Sequence, residues 1–356
     1  MIILKLIFTF VLSYFFIKLI INNALYLGLT DIPNERSSHT KITPRGAGIG
    51  FGFSFFISIL IFEFSLFLNY WLVFLSIFMV FLVGILDDHK DATPRAKFYV
   101  IFLATILLFL DDISIYSLGV FLGLELNLWY FALPFTMFAL AGFTNALNLI
   151  DGFDGLAGTI SLVILSTFLY IGYINNDNLI VTLCLFSMTS ILAFLIFNWN
   201  PADIFMGDSG SLFLGFVISV IAVISLKYIH PISVFYLTAL PILDTVVVMV
   251  RRIRKRISPF SPDKTHIHHI LLGFFSKKVK TTVIFLILLQ CLFSIAGLMM
   301  ANSSNKLTLG SYSFFAFVAF IFIIALFYMV LTGMKRRQKL IEKLSNRKKR
   351  INSKQK

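Results

Sequence analysis

"NALNLIDGFDGLAG", Asn145–Gly158, sets two asparagines and two aspartates among glycines, and the chain on both sides of it is almost wholly apolar. An ionised Asp at the centre of a membrane helix costs about 2.5–3.5 kcal/mol. Residues 128–146 before it and 156–174 after it each have the length and composition of a bilayer span. Asp151 and Asp154 are therefore expected in a connection at a membrane surface. The same alternation of apolar stretch and polar, Gly-rich connection recurs along the chain.

The composition supports an all-α polytopic membrane protein. Of 356 residues, 58% are hydrophobic, 13% are charged and 42 are Phe. Mean hydropathy is +0.92. About eleven transmembrane helices are expected, near 2–21, 46–68, 71–86, 97–110, 128–146, 156–174, 178–197, 210–226, 231–250, 281–300 and 310–333. The first lacks a small-residue cleavage site and reads as a retained span. The stretch 113–126 is too broken to span and reads as a hairpin or an interfacial segment. An odd number of spans puts the termini on opposite sides. Residues 334–356 hold eleven Lys/Arg, 251–280 nine, and 22–45 and 87–97 three each, which puts 26 of the 30 basic residues on one side. The positive-inside rule makes that side cytoplasmic. The net charge of +13 clusters next to spans, so its partner is an anionic membrane lipid surface and not nucleic acid. Cys184 and Cys291 lie in apolar stretches and offer neither metal spacing nor a disulfide framework. Without repeats or a separate soluble domain, the chain divides into a transmembrane catalytic domain, 1–333, and a basic cytoplasmic tail, 334–356. That tail can extend as an amphipathic helix or stay solvated beside anionic lipid.

Five polar connections follow spans one, three, five, seven and nine, all on the basic side. "LDDHKD" places Asp87, Asp88 and Asp91 at a helix end, where Asp91 would share a face with both others. Clustered carboxylates suit Mg²⁺ or a base, or simply a solvated helix end. In "DATPRAK", Thr93 can cap a helix with Pro94 at its first position, aiming Arg95 and Lys97 at a phosphate. "RSSHTKITPRGAGIG" has the same pattern: Thr43 and Pro44 would start span two, with Arg45 in its first turn as an anion site. In "NWNPADIFMGDSGSLF", Gly207 and Gly210 let a ligand approach Asp208 closely, or Asp208 or Ser209 caps the next span. "SPDKTHIHHIL" holds His266, His268 and His269, whose spacing fits phosphate contact or acid–base work better than zinc, beside a purely structural alternative. Asp244 lies inside span nine and is either functional or paired. Glu63 reads as structural, and His39, His89 and His230 receive no role. Carboxylates for a metal, cations for phosphates and a membrane location together suggest phosphoryl transfer between a lipid phosphate and a soluble nucleotide donor.

In order and spacing, "RSSHTKITPRGAG", "LDDHKD", "NALNLIDGFDGLAG", "PADIFMGDSGSLFLG" and "SPFSPDKTHIHHILL" resemble the polyprenyl-phosphate N-acetylhexosamine-1-phosphate transferase family, glycosyltransferase family 4, over residues 1–333. The resemblance implies a multi-pass bacterial inner-membrane enzyme with a cytoplasmic site. It would move a sugar-1-phosphate from a UDP-N-acetylhexosamine to undecaprenyl phosphate and release UMP, using Mg²⁺ or Mn²⁺. That reaction starts cell-surface polysaccharides such as O-antigen, enterobacterial common antigen or teichoic acid linkage units. By resemblance, Asp208 and Asn148 would hold the metal. Asp154 and Phe205 would contact the uracil, and Asp87 would bind or deprotonate the lipid phosphate. Asp88 would support that site or the metal, while the three histidines with Arg45 or Lys97 would steady phosphates. Asp151 is assigned to substrate binding, and a homodimer is an allowed assembly. A lipid-linked sugar transporter or flippase would place its polar groups at mid-membrane in repeats. A membrane prenyltransferase would leave the histidines and the Arg/Thr-Pro loop unexplained.

Overall fold

The computed structural model describes residues 2–33, 42–90, 92–256, 258, 266–302 and 306–354. In chain order the helices are α1 Ile2–Asn23, α2 Ala47–Phe62, α3 Phe64–Asn69, α4 Trp71–Lys90, α5 Pro94–Leu110, α6 Ala132–Ile150, α7 Leu156–Ile174, α8 Asn178–Asn198, α9 Gly207–Ser225, α10 Pro231–Leu237, α11 Ala239–Arg254, α12 Ile267–Phe274, α13 Val279–Ala301 and α14 Lys306–Lys354. Two small antiparallel pairs complete the described structure. β1 Thr30–Asp31 pairs with β2 Thr43–Pro44, and β3 Ser117–Phe121 pairs with β4 Leu124–Asn127. The protein is an all-α polytopic membrane protein. Among the described residues eight helices are long and apolar enough to cross a bilayer, nine if α10 and α11 count as one. The expected count of eleven is not reached, since α2, with 16 residues, and α5, with 17, fall short of that length.

The centre of the bundle is α9, in which every residue from Ser209 to Ser225 is buried. It packs against α2, α4, α6, α7 and α8. Close approach depends on small residues: a Cβ on Gly48 of α2 would lie 2.0 Å from the Gly210 nitrogen. Capping fixes several starts. Thr93 accepts a hydrogen bond from the Ala96 amide at 3.3 Å ahead of Pro94, as the sequence predicts. Asp177 does the same for α8 through the Ile180 amide at 3.0 Å.

Three expectations are corrected. Thr43 and Pro44 do not start a helix. They pair with Thr30 and Asp31, and the Arg45 amide donates to Leu29 O at 2.9 Å, so α2 begins only after Gly46, whose φ is 88°. The stretch 46–68 is broken at Glu63, where φ −130° ends α2; its carboxylate takes the Lys5 ammonium at 2.7 Å. Span nine is not straight, because α10 and α11 meet at 86°. Pro241 has no N–H to offer Leu237 O four residues back. The buried Gln290 of α13 supplies the missing partners: its Nε2 donates to Leu237 O at 2.7 Å, and its Oε1 accepts from the Leu240 amide at 3.0 Å. Backbone groups broken within a membrane need such internal satisfaction.

The stretch 113–126 forms the β3–β4 hairpin, at the end of the bundle opposite the polar connections. It borders a cavity of about 520 Å³ shared with the C-terminal end of α9 and His230. The tail carries no break from the last span, since α14 runs continuously to Lys354.

Candidate active site

The five polar connections meet at one end of the bundle, through hydrogen bonds among the first four and ring packing with the fifth. The first connection meets the fourth through Phe205 N to Pro44 O at 2.9 Å and Ala47 N to Phe205 O at 3.1 Å. It meets the second through Arg45, whose guanidinium donates to Asp88 O at 2.7 Å. The third and fourth are tied by the Gly155 amide to Asn198 Oδ1 at 2.8 Å. The third meets the fifth where Phe153 packs edge-on to His268 and His269, with ring centroids at 4.8 and 5.4 Å.

At the heart of this end, the ammonium of Lys97 on α5 bridges two carboxylates. It lies 2.7 Å from Asp87 Oδ2 on α4 and also contacts Asp208 Oδ2 on α9. Asn148, in the last turn of α6, donates from Nδ2 to Asp208 Oδ1 at 3.1 Å and to Ser211 Oγ at 2.8 Å. Four helices thus present their site-end turns to one point. Asp208 keeps 29% of its side chain exposed and Asp87 12%, so the cluster opens to solvent on one side.

Asp88 behaves differently. Its Oδ1 accepts from the Asp208 amide at 2.8 Å and its Oδ2 from the Ser209 amide at 3.1 Å. The carboxylate therefore caps α9 from a neighbouring helix, satisfying two of the amides a helix start leaves bare. Gly207 permits this with φ 76°, and a Cβ there would lie 2.6 Å from Asp88 Oδ2. Of the two alternatives the sequence left for Asp208 and Ser209, capping their own helix is not the one seen, because Asp88 supplies the cap. This arrangement corrects the expectation of one carboxylate cluster: consecutive helix residues point about 100° apart, so Asp87 and Asp88 serve separate partners. Asp91 lies outside the described residues, as do His39 and part of the first motif.

The quoted stretch forms the rim. Asp151 ends α6, half-buried; burial, with Asp208, Asp88 and Asp154 nearby, pushes its carboxyl up to about 7. Asp154 Oδ2 accepts from Asn200 Nδ2 at 2.8 Å and from the Ala202 amide at 3.1 Å, pinning this loop to the turn after α8. The Phe205 side chain is half-buried beside the same turn.

Of the histidines, His266 and His268 are buried at 6% and 2% exposure, and His269 is half-buried. Asp244 Oδ2 lies 3.0 Å from His266 Nδ1, and Asp244 Oδ1 accepts from the Ile267 amide at 2.7 Å. His268 packs so closely on Gly152 that a Cβ there would sit 2.3 Å from its Nε2. Burial pushes His268 down to about 3, with Asp244 opposing and the neighbouring histidines adding, so the ring is neutral at pH 7.

A model of glycosyl transferase family 4 matches residues 70–226. The chain is 34% identical to the probable undecaprenyl-phosphate N-acetylglucosaminyl 1-phosphate transferase of Bacillus subtilis (strain 168), over 85% of this chain and 83% of that protein. The chain belongs to this family. It is also 32% identical to the undecaprenyl-phosphate alpha-N-acetylglucosaminyl 1-phosphate transferase of Yersinia pestis, over 77% of this chain and 78% of the relative. Identity to the Escherichia coli (strain K12) enzyme of the same name is 30%, over 71% and 72%.

The matched stretch holds Asp87, Asp88, Lys97, Asn148, Asp151, Asp154, Phe205 and Asp208, while Arg45 and the three histidines join the site from outside it. Residues that sequence reasoning left without roles also contribute. Ser211 is one turn beyond Asp208 on α9, and that i+3 spacing was the available signal. Asn198 and Asn200 sit within a quoted motif, yet nothing local shows that they bind the 152–155 and 202–204 backbone or Asp154.

Proposed function

We propose that this protein transfers an N-acetylhexosamine-1-phosphate, N-acetylglucosamine-1-phosphate by its relatives' names, from a UDP-sugar to undecaprenyl phosphate, releasing UMP at the cytoplasmic face of a bacterial plasma membrane. The observation that carries this reading is the convergence of Asp87, Lys97, Asn148 and Asp208 at one end of the bundle, in a chain whose relatives bear that activity in their names.

Oxygens of Asp208 and Asp87 hold Lys97 Nζ between them, and the Asn148 side-chain amide lies against the other oxygen of Asp208. Hard oxygen donors, few in number and open on one side, suit Mg²⁺ or Mn²⁺ shared with substrate phosphates. Asp208 and Asn148 would hold the ion, which would neutralise diphosphate charge in the transition state.

The chain's own groups do the rest. Asp87 lies beside Lys97 at the end of α4, placed to orient or deprotonate the lipid phosphate. The lipid oxygen then bonds to the donor's β-phosphorus while the bond to the bridging oxygen breaks, and UMP leaves. Lys97 can exchange a carboxylate for a phosphate oxygen and so balance the charge that develops. Asp154 and Phe205, held by the turn after α8, are assigned to the uracil, and Asp151 to the rim of the donor pocket. Arg45 fixes the end of α4 through Asp88 O and is assigned, with Lys97, to the phosphates. His269 is the most exposed histidine of its cluster and the nearest candidate for phosphate contact.

Purified protein with undecaprenyl phosphate, Mg²⁺ and a panel of UDP-N-acetylhexosamines tests this reading by UMP release. Release should vanish on chelation, return with Mg²⁺ or Mn²⁺, and be lost in Asp208→Asn. Failure with every donor would remove the proposal. Light scattering of the purified protein decides the homodimer.

A further inference from the structure

The short helix α12 carries His268 and His269, with His266 at its N-cap, and is preceded by residues largely outside the described structure. Two polar anchors from the bundle hold it. At its N-terminus, Asp244 of α11 accepts from the Ile267 amide at 2.7 Å and bonds His266 Nδ1 at 3.0 Å. In its middle, Gln338 of α14 donates from Nε2 to Ile270 O at 2.9 Å, so close that a Cβ on Gly273 would lie 2.5 Å from that nitrogen.

The Asp244 anchor is buried at 1% exposure. A carboxylate only accepts hydrogen bonds, so the proton of that contact must sit on His266 Nδ1. The Nε2 of the same ring is then left with its lone pair as an acceptor, or with a second proton if the ring is charged. The two other rings follow it: His266 and His268 lie nearly parallel at 5.7 Å, and His268 and His269 are 4.4 Å apart, tilted by 47°. His268 and His269 in turn pack on Phe153 of the nucleotide-side loop. Whatever fixes His266 therefore fixes the row of rings and its contact with the third connection.

We propose that Asp244 is the positioning residue of the histidine cluster: it holds His266 in the Nδ1–H tautomer and seats α12 against Phe153, with Gln338 of the C-terminal helix as the second anchor of the same helix. Asp244 touches no substrate. It acts through His266, as the second partner of a functional imidazole commonly does. The break between α10 and α11 serves this arrangement, because it redirects α11 so that Asp244 meets the fifth connection. The proposal deepens the transferase reading and rests on it for the role of the cluster, although its structural half can be tested without turnover.

The test is nitrogen NMR of ¹⁵N-histidine-labelled protein in detergent, with His266 identified by its loss in His266→Gln; only six histidines need resolving. Wild type should show the Nδ1–H pattern at His266. Asp244→Asn keeps an oxygen for the Ile267 amide but turns an N–H toward the ring, so the ring should switch to Nε2–H. The kcat/KM for the UDP-sugar should fall by roughly 10–100-fold. Gln338→Ala should leave the tautomer unchanged and raise the donor KM several-fold with kcat little altered. An Nε2–H ring in the wild type overturns the proposal, even if Asp244→Asn fails to fold. Unchanged donor kcat/KM in an Asp244→Asn protein with a switched ring also overturns it. An Nδ1–H ring in a wild type that turns over no donor would instead remove the transferase reading.

Discussion

Replacing Asp88 separates architecture from chemistry at the double aspartate. Asp88 is 3% exposed, and its two oxygens take the amides of Asp208 at 2.8 Å and Ser209 at 3.1 Å. Hydrogen bonds to a charged group contribute about 1.5–3 kcal/mol each, and a buried donor left bare costs a similar amount. Asp88→Ala strips both amides at the start of the most buried helix, so a loss of about 3–6 kcal/mol is expected. Asp88→Asn retains one acceptor but presents N–H to N–H at the other amide, and about half that loss is expected. At about 2–4 °C per kcal/mol for a large domain, Asp88→Ala should melt on the order of 10 °C lower. The assay is thermal unfolding followed by maleimide-dye labelling of Cys184, which is 0% exposed until the bundle opens, in a Cys291→Ser background. Asp87→Asn is the control: its partner Lys97 keeps Asp208, so it should melt near wild type while UMP release collapses. An Asp88→Ala protein melting within about 1 °C of wild type would refute the capping argument.

Acidification should weaken the fold through His268. Its folded value of about 3 lies below the ordinary 6.5, so the unfolded chain takes up a proton that the folded chain refuses. The stability it supports is complete above about pH 6.5 and is lost as pH falls toward 3, about 2 kcal/mol by pH 5. His268→Phe should flatten melting temperature against pH over that window. Gly207→Ala should lose more than about 1 kcal/mol, because φ is 76° and the added Cβ would meet Asp88 at 2.6 Å; a calorimetric scan and UMP release should fall together. In a background without Cys184 and Cys291, an impermeant maleimide should label Asn176→Cys on intact cells but Lys255→Cys only after permeabilisation. The reverse pattern would invert the cytoplasmic assignment.

Much of this protein was legible along the chain because both its signals are local. Membrane spans declare themselves by length and hydropathy, and a capping residue such as Thr93 sits beside the helix it starts. The alternation of spans then brings five polar connections to one end, and in the structure those five meet there. The resemblance of their motifs to a known family was equally readable, and the relatives share that family.

What the linear pattern cannot express is which residue answers a need created far away. Asp87 and Asp88 are neighbours in sequence, yet helix rotation sends one to Lys97 and Asp208 and the other to the bare amides of α9, 120 residues on. Thr43 and Pro44 have the local form of a helix start, but pairing with Thr30 and Asp31 overrides it. The bend at Pro241 is visible as a proline, while its remedy, Gln290, lies 50 residues beyond Leu240. Sequence alone determined that this chain crosses a membrane repeatedly and gathers its polar connections at one face, because burial of apolar length is a local property. Only the tertiary structure decided which acid holds a helix and which joins Lys97 and Asp208, because a buried N–H or charge takes the partner that packing places beside it.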